Sequence, residues 1–264
     1  MIIDFHTHAF PEKIAKRTLK ILAKKCGNAL PYHEGTPDSL LSKLKQDGVD
    51  KAVVLSISTN PKQQTNVNDF AISLLSNPDL IPFGSVHPDS EEAIDELYRL
   101  KEAGIKGIKF HPDYQDFMAD DEKLFPLYEK ANELGFITVF HAGVDIGIPD
   151  PIHCTPDMLL KVLPIFKDTT VVAAHMGGYL LWQEVYDKLA GSEIYLDTSY
   201  SFTRIPPIWA EKIIEKHGTD KILFGSDTPW SSSGNEIRFV KSLHLTDEEK
   251  EKIFYKNAVR LLDL

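Results

Sequence analysis

The sequence predicts an α/β chain closed into a (β/α)8 barrel, the TIM-barrel architecture, used as a single domain over residues 1–264. Three observations predict it. Short β-branched apolar runs alternate with amphipathic helical patterns, which signals βαβ units and a parallel sheet. Eight such runs can be counted, and some, such as VVLSI and TTVVAA, are apolar on both faces, as strands buried on both sides require. A barrel of this kind takes about 250 residues, so the chain of 264 residues fills one. The alternation alone also allows a doubly wound open sheet.

The expected strands are Ile2–His6, Ala52–Ser58, Ile81–Val86, Gly107–Phe110, Ile137–His141, Thr170–His175, Ile194–Asp197 and Ile222–Phe224. Helices fill the gaps. Ser90–Ala103 stops at Gly104 and Glu122–Leu134 stops at Gly135, each glycine suited to the left-handed residue after a helix. Pro156–Phe166, Trp182–Leu189 and Pro206–His217 carry helical apolar spacing. Thr246 and Glu249 form a capping box that opens a last helix running to about Leu262. Two stretches, Ala9–Thr36 and Ala142–Thr155, exceed a tight connection and are expected as lids or pocket walls on the catalytic face.

Composition excludes several classes. Net charge is −10 with no strong Lys/Arg run, which argues against a nucleic-acid partner. No segment reaches membrane-span length and the N-terminus lacks a signal pattern, so no membrane partner and a cytoplasmic location are expected. Two cysteines, Cys26 and Cys154, make no disulfide framework.

The chemistry gathers at strand ends. In Asp4-Phe5-His6-Thr7-His8, alternation puts His6 and His8 on one face, with Phe5 and Thr7 opposite. A lone His-x-His is weak evidence. His141 ends strand five, His175 ends strand six and Asp227 follows strand eight, however, and in a barrel these ends converge on one mouth. His6, His8, His141 and Asp227 offer three nitrogens and one oxygen to a divalent metal ion, zinc first, with Mn, Fe, Co or Ni open. Asp227 doubles as a catalytic proton acceptor, and His175 is the expected acid/base or charge stabiliser.

These residues resemble a known family. Asp4-Phe-His-Thr-His8, His141-Ala-Gly, His175-Met-Gly-Gly, Gly225-Ser-Asp-Thr-Pro-Trp230 and the closing Asn257-Ala-Val-Arg-Leu-Leu262 look like the amidohydrolase superfamily. The nearest branch is the amidohydrolase-related group, which includes aminocarboxymuconate semialdehyde decarboxylase-like enzymes. The resemblance covers almost the whole chain. It implies a (β/α)8 fold, a metal on His6, His8, His141 and Asp227, a catalytic His175, and hydrolysis or nonoxidative decarboxylation.

Strand four adds Lys109 and His111, two apart on one face. In other branches of the superfamily a strand-four lysine is carbamylated and bridges two metals. The reading preferred here is an interior lysine pairing a carboxylate, with His111 binding an anionic substrate group; a buried structural ion pair is the alternative. Trp230 is a candidate pocket wall. Asp197, Ser199 and Arg204 are candidates for the mouth. His33, His87 and His153 read as lid or surface residues, His217 and His244 as structural or solvated, and Cys154 as no nucleophile.

Three functions follow, on a small-molecule substrate in each enzymatic case. The first is hydrolysis of a C–O or C–N bond by metal-activated water. The second is decarboxylation, which wants cations for a carboxylate; the loop 9–36 offers only Arg17 as an arginine. The third is a non-catalytic metal-binding barrel. A homodimer fits by analogy only.

Overall fold

The computed structural model describes residues 1–264. Its eight strands are β1 (Ile3–Thr7), β2 (Lys51–Leu55), β3 (Leu80–Phe83), β4 (Gly107–Phe110), β5 (Ile137–Phe140), β6 (Val171–Ala173), β7 (Tyr195–Asp197) and β8 (Ile222–Leu223). All pairings are parallel, in the orders β1-β2-β3 and β4-β5-β6-β7-β8. Backbone hydrogen bonds span both seams. Gly84 N donates to Gly107 O and Lys109 N to Gly84 O between β3 and β4. Phe5 N donates to Phe224 O, and Asp227 N to His6 O, between the β8 end and β1. The strands therefore follow one another around a ring in sequence order, as the eight-run pattern predicts.

The first helices are α1 (Glu12–Lys25), α2 (Pro37–Asp47), α3 (Gln64–Ser73) and α4 (Ala93–Glu102). After them come α5 (Pro112–Gln115), α6 (Phe125–Glu133), α7 (Pro156–Val162) and α8 (Trp182–Glu184). The last are α9 (Pro207–His217), α10 (Ser233–Ser242), α11 (Asp247–Glu251) and α12 (Asn257–Leu262). A π-helical turn, Lys252–Lys256, joins the last two into the expected C-terminal helix. The stretch 9–36 is not loop throughout, because α1 lies within it. No helix is long and apolar enough to cross a membrane.

Two apolar layers result from strand alternation. Ile3, Phe5, Val53, Leu55, Phe83, Val139, Val172 and Leu223 fill the barrel interior, closed below by Ala258 and Leu262 of α12. The alternate residues, including Val54, Ile108, Phe110, Phe140, Leu196 and Ile222, pack outward against the helices. Gly107 is required by this interior, since a Cβ there would lie 2.2 Å from the Phe83 ring. Asn257 anchors α12 by donating from Nδ2 to the Thr219 and Ile222 carbonyls at 2.7 and 2.8 Å.

Below the mouth, α10 presents Glu236 to a buried nest. Its Oε2 accepts from Ser201 N and Phe202 N, at 3.1 and 2.9 Å, and its Oε1 accepts from Ser231 Oγ at 2.7 Å. Burial pushes this carboxyl up to about 8, against those hydrogen bonds. The folded chain thus holds the proton more tightly than the unfolded one. Its stabilising contribution is complete below the ordinary carboxyl value of 4.5 and is lost as pH rises through about 8. The melting temperature is expected to fall by about 2–4 °C between neutral and mildly alkaline pH, for roughly 1 kcal/mol lost over that interval. Glu236→Gln keeps the shape and cannot ionise, so calorimetry should show a shallower alkaline fall. An unchanged fall would remove Glu236 as its source.

Candidate active site

β1 supplies the first pair of imidazoles. The β1–β2 register slips between Asp4 and Thr7. That bulge alters simple alternation: Phe5 packs in the interior against Phe83, at 5.7 Å between ring centroids, rather than turning away. His6 and His8 still meet, with ring centroids 5.2 Å apart.

Their outer nitrogens are tied down. His6 Nδ1 donates to Asp197 Oδ2 at 2.8 Å and His8 Nδ1 donates to the Leu55 carbonyl at 2.9 Å. A carbonyl or carboxylate oxygen only accepts, so each neutral ring carries its proton on Nδ1. Each Nε2 is then a bare lone pair. Both point at Asp227 Oδ1, 3.4 Å from His6 and 3.1 Å from His8. Burial, then the charge of Lys109, lowers His6 to about 4, so its ring is neutral at neutral pH. Burial alone would raise Asp227, but its contacts with His8, His6 and His175 outweigh it and hold the carboxyl below its ordinary value.

With the rings neutral, three electron-pair donors face one another. Their atoms lie within 4.8 Å of each other. Such a set repels itself unless a cation sits among the donors, and neutral imidazoles backed by fixed acceptors are the arrangement that metal-binding histidines use. The residues fit a divalent cation.

His141 stands outside this trio. Its Nδ1 meets His175 Nε2 at 3.0 Å. Its Nε2 is buried without a hydrogen-bond partner, 3.8 Å from both Asp113 Oδ2 and Asp145 Oδ2. His111 stacks on it nearly parallel, with ring centroids 4.1 Å apart, and these two with Asp145 form a second donor group. Gly143 permits this turn: at φ +87°, a Cβ there would lie 2.1 Å from Tyr179 N.

β6 stops at Ala173, two residues before His175, because His175 and Met176 both adopt left-handed backbone, at φ 59° and 56°. The turn aims His175 at the centre, 5.2 Å from the His6 ring. Its Nδ1 contacts Ser199 Oγ at 2.9 Å and the Ser199 carbonyl at 3.3 Å.

Asp197 is the hub that spacing alone did not reveal. Besides His6 Nδ1, it accepts on Oδ1 from His175 N and Ser199 N, both at 3.0 Å, and from Ser199 Oγ. One buried carboxylate thus fixes both histidines. Burial works to raise it, but its contacts with His6, His175 and Ser199 outweigh that and hold it well below the usual carboxyl range. Asp4 is a second tie, accepting from Ser226 N at 2.9 Å and Ser233 Oγ at 2.7 Å, which anchors the Asp227 turn to β1.

Lys109 is 1% exposed, and its Nζ has no partner, so the expected ion pair is not formed. Burial lowers its ammonium to about 8. Among the remaining candidates, His153 is buried rather than superficial, with Nδ1 3.1 Å from Asp113 Oδ1. His87 is buried too, and His33 is half-buried against Ser39. His217 is buried and accepts from Gly191 N, whereas His244 is exposed beside Glu211. Arg204 is exposed and lies over the Tyr200 ring. The Cys154 thiol is buried, which raises it well above its ordinary value and makes it a poor nucleophile.

A cavity of about 740 Å³ joins these groups. His6, His8, Lys109, His111, His141, His175, Asp227 and Trp230 all line it. Every residue singled out for metal, catalysis or substrate is brought to this one space.

Comparison with known proteins agrees with this architecture. No curated protein matches the chain. An uncharacterized TIM-barrel protein from Bordetella bronchiseptica superposes with a TM-score of 0.79 at 20% identity, over 99% of this chain and 98% of that one. The 5-carboxyvanillate decarboxylase LigW from Sphingomonas paucimobilis gives 0.72 at 14% identity, over 100% and 99%. A dihydroxybenzoic acid decarboxylase from a Polaromonas species, with bound manganese and 2-nitroresorcinol, gives 0.75 at 15% identity, over 100% and 97%. At these identities the likeness speaks for the fold. The amidohydrolase family profile matches residues 3–264, nearly the whole sequence, and the chain therefore belongs to the amidohydrolase family.

Proposed function

We propose that the protein is a divalent-metal-dependent decarboxylase of small aromatic or conjugated carboxylic acids. One observation carries the reading: the Lys109 ammonium lies buried and unpartnered in the same cavity as the three-donor cluster. A buried cation without a counter-ion is unfavourable, and a substrate carboxylate would supply one. A buried cation for that carboxylate is thus offered by β4. The decarboxylases among the structural neighbours support the same chemistry.

His6, His8 and Asp227 would hold the cation, with His141 as proposed fourth donor, and the set takes zinc or manganese. When bound, the cation supplies Lewis-acid polarisation of the substrate oxygens. Lys109 binds and orients the departing carboxylate, with His111 beside it. Trp230 walls the cavity. His175 delivers a proton to the ring carbon that bears the carboxylate. The carbon–carboxylate bond then breaks, its electron pair returns to the ring, and carbon dioxide leaves; solvent restores the proton to His175. Burial lowers His175, while the nearby Asp227, Asp197 and the Ser199 carbonyl favour its protonated form, which suits a group that alternates between two states.

Hydrolysis is the second reading, since the family profile is that of amidohydrolases. The purified protein, loaded with zinc or manganese, should release one carbon dioxide per molecule consumed from a panel of hydroxybenzoates and unsaturated acids. Turnover of lactones, esters or amides, with no carbon dioxide from any acid, would replace this reading by hydrolysis.

A further inference from the structure

The cavity is much larger than a single ring needs. A hydrocarbon cavity of about 150 Å³ already holds benzene, whereas this one measures about 740 Å³. Much of its lining is apolar. Ile14, Ile21 and Leu22 come from α1, Ile57 from the segment after β2, and Val67 and Phe70 from α3. None of the six is fully buried, and Ile14 and Ile21 are each 48% exposed. α1 buries only Ala15 and Leu19. The helix therefore directs much of its apolar surface at the cavity rather than at the core, and large apolar side chains left wet on a cavity wall mark a binding surface.

We infer that this annex receives an apolar substituent of the substrate, of about a second ring or a chain of several carbons. The preferred substrate is then an amphipathic acid, with its carboxylated ring at Lys109 and the donor cluster and its tail between α1 and α3. The occupant is a small molecule because one cavity is lined both by these apolar side chains and by His6, His8 and Asp227. The identity of the head as a carboxylate rests on the decarboxylase reading; the apolar annex does not.

Calorimetric binding of two homologous series to the metal-loaded protein tests this: 4-alkylbenzoates and 4-alkylphenols, from methyl to hexyl. Each added methylene should lower Kd by about three- to fourfold, the increment for burying one CH2. Ile21→Lys, on an exposed helix face, should flatten that dependence. Ile208→Lys, at a 57% exposed position outside the cavity, should leave it intact. No dependence on chain length in either series would overturn the inference, as would a slope that Ile21→Lys leaves unaltered. A chain-length slope accompanied by no carbon dioxide from any homologue would sink the decarboxylase reading and leave the annex standing.

Discussion

Asp227→Asn should bind less than about a tenth of an equivalent of divalent metal, and its turnover should fall by more than the 10–100-fold typical of losing an outer partner of a metal ligand. The substitution is nearly isosteric. Asp227 adopts left-handed backbone at φ 67°, a conformation that asparagine tolerates well and alanine does not. The change therefore removes charge without disturbing the turn that Asp4 anchors through Ser226 N. Its effect on the metal-free protein should run the other way. In the wild type, Asp227 Oδ1 confronts the Nε2 atoms of His6 and His8 at 3.4 and 3.1 Å. An amide NH2 would donate to them instead. Chelator-treated Asp227→Asn should thus melt no lower than chelator-treated wild type. Added zinc or manganese should raise the wild-type melting temperature by ligand linkage and leave the variant unmoved. Scanning calorimetry with elemental analysis separates these effects, and equal metal content in the two proteins would refute the assignment of Asp227 as a ligand.

The legibility of this site in the sequence follows from how far each cue reaches. Strand placement is local: β4 is found where its apolar run lies, and β2, β3, β5, β7 and β8 fall within their predicted runs or within a residue or so of them. His6, His8, His141, His175 and Asp227 were legible because parallel barrel topology sends every strand's C-terminal end to the same mouth. What failed was detail set by long-range contacts. β6 ends early because two consecutive left-handed residues break it, and nothing in VVAAHMGG requires that. α1 is hard to see because its apolar face covers a cavity and buries little in the core. Asp197 looks like an ordinary strand-end residue; its role comes from His6, 191 positions away, and from His175, 22 positions away. The partition of His141 into a group with His111 and Asp145 likewise depends on side-chain direction, which spacing does not encode.

His175→Asn is the complementary test, because it should abolish chemistry while sparing the metal. His175 donates no atom to the His6, His8 and Asp227 trio. Its backbone N–H to Asp197 is retained in the variant, whereas the imidazole contacts with Ser199 and His141 are lost. Metal content should stay near that of the wild type. Turnover should fall by about 10²–10⁴-fold, the usual contribution of a positioned proton donor, with KM little altered because Lys109 still binds the carboxylate. The contrast with Asp227→Asn is informative because the two residues share one cavity. A fall in kcat at constant metal content assigns proton delivery to His175. A parallel loss of metal would instead make His175 a ligand, a result made conceivable by its 3.0 Å contact with His141 Nδ1. In that event the proton would have to come from another cavity group, such as Lys109, whose ammonium burial lowers to about 8.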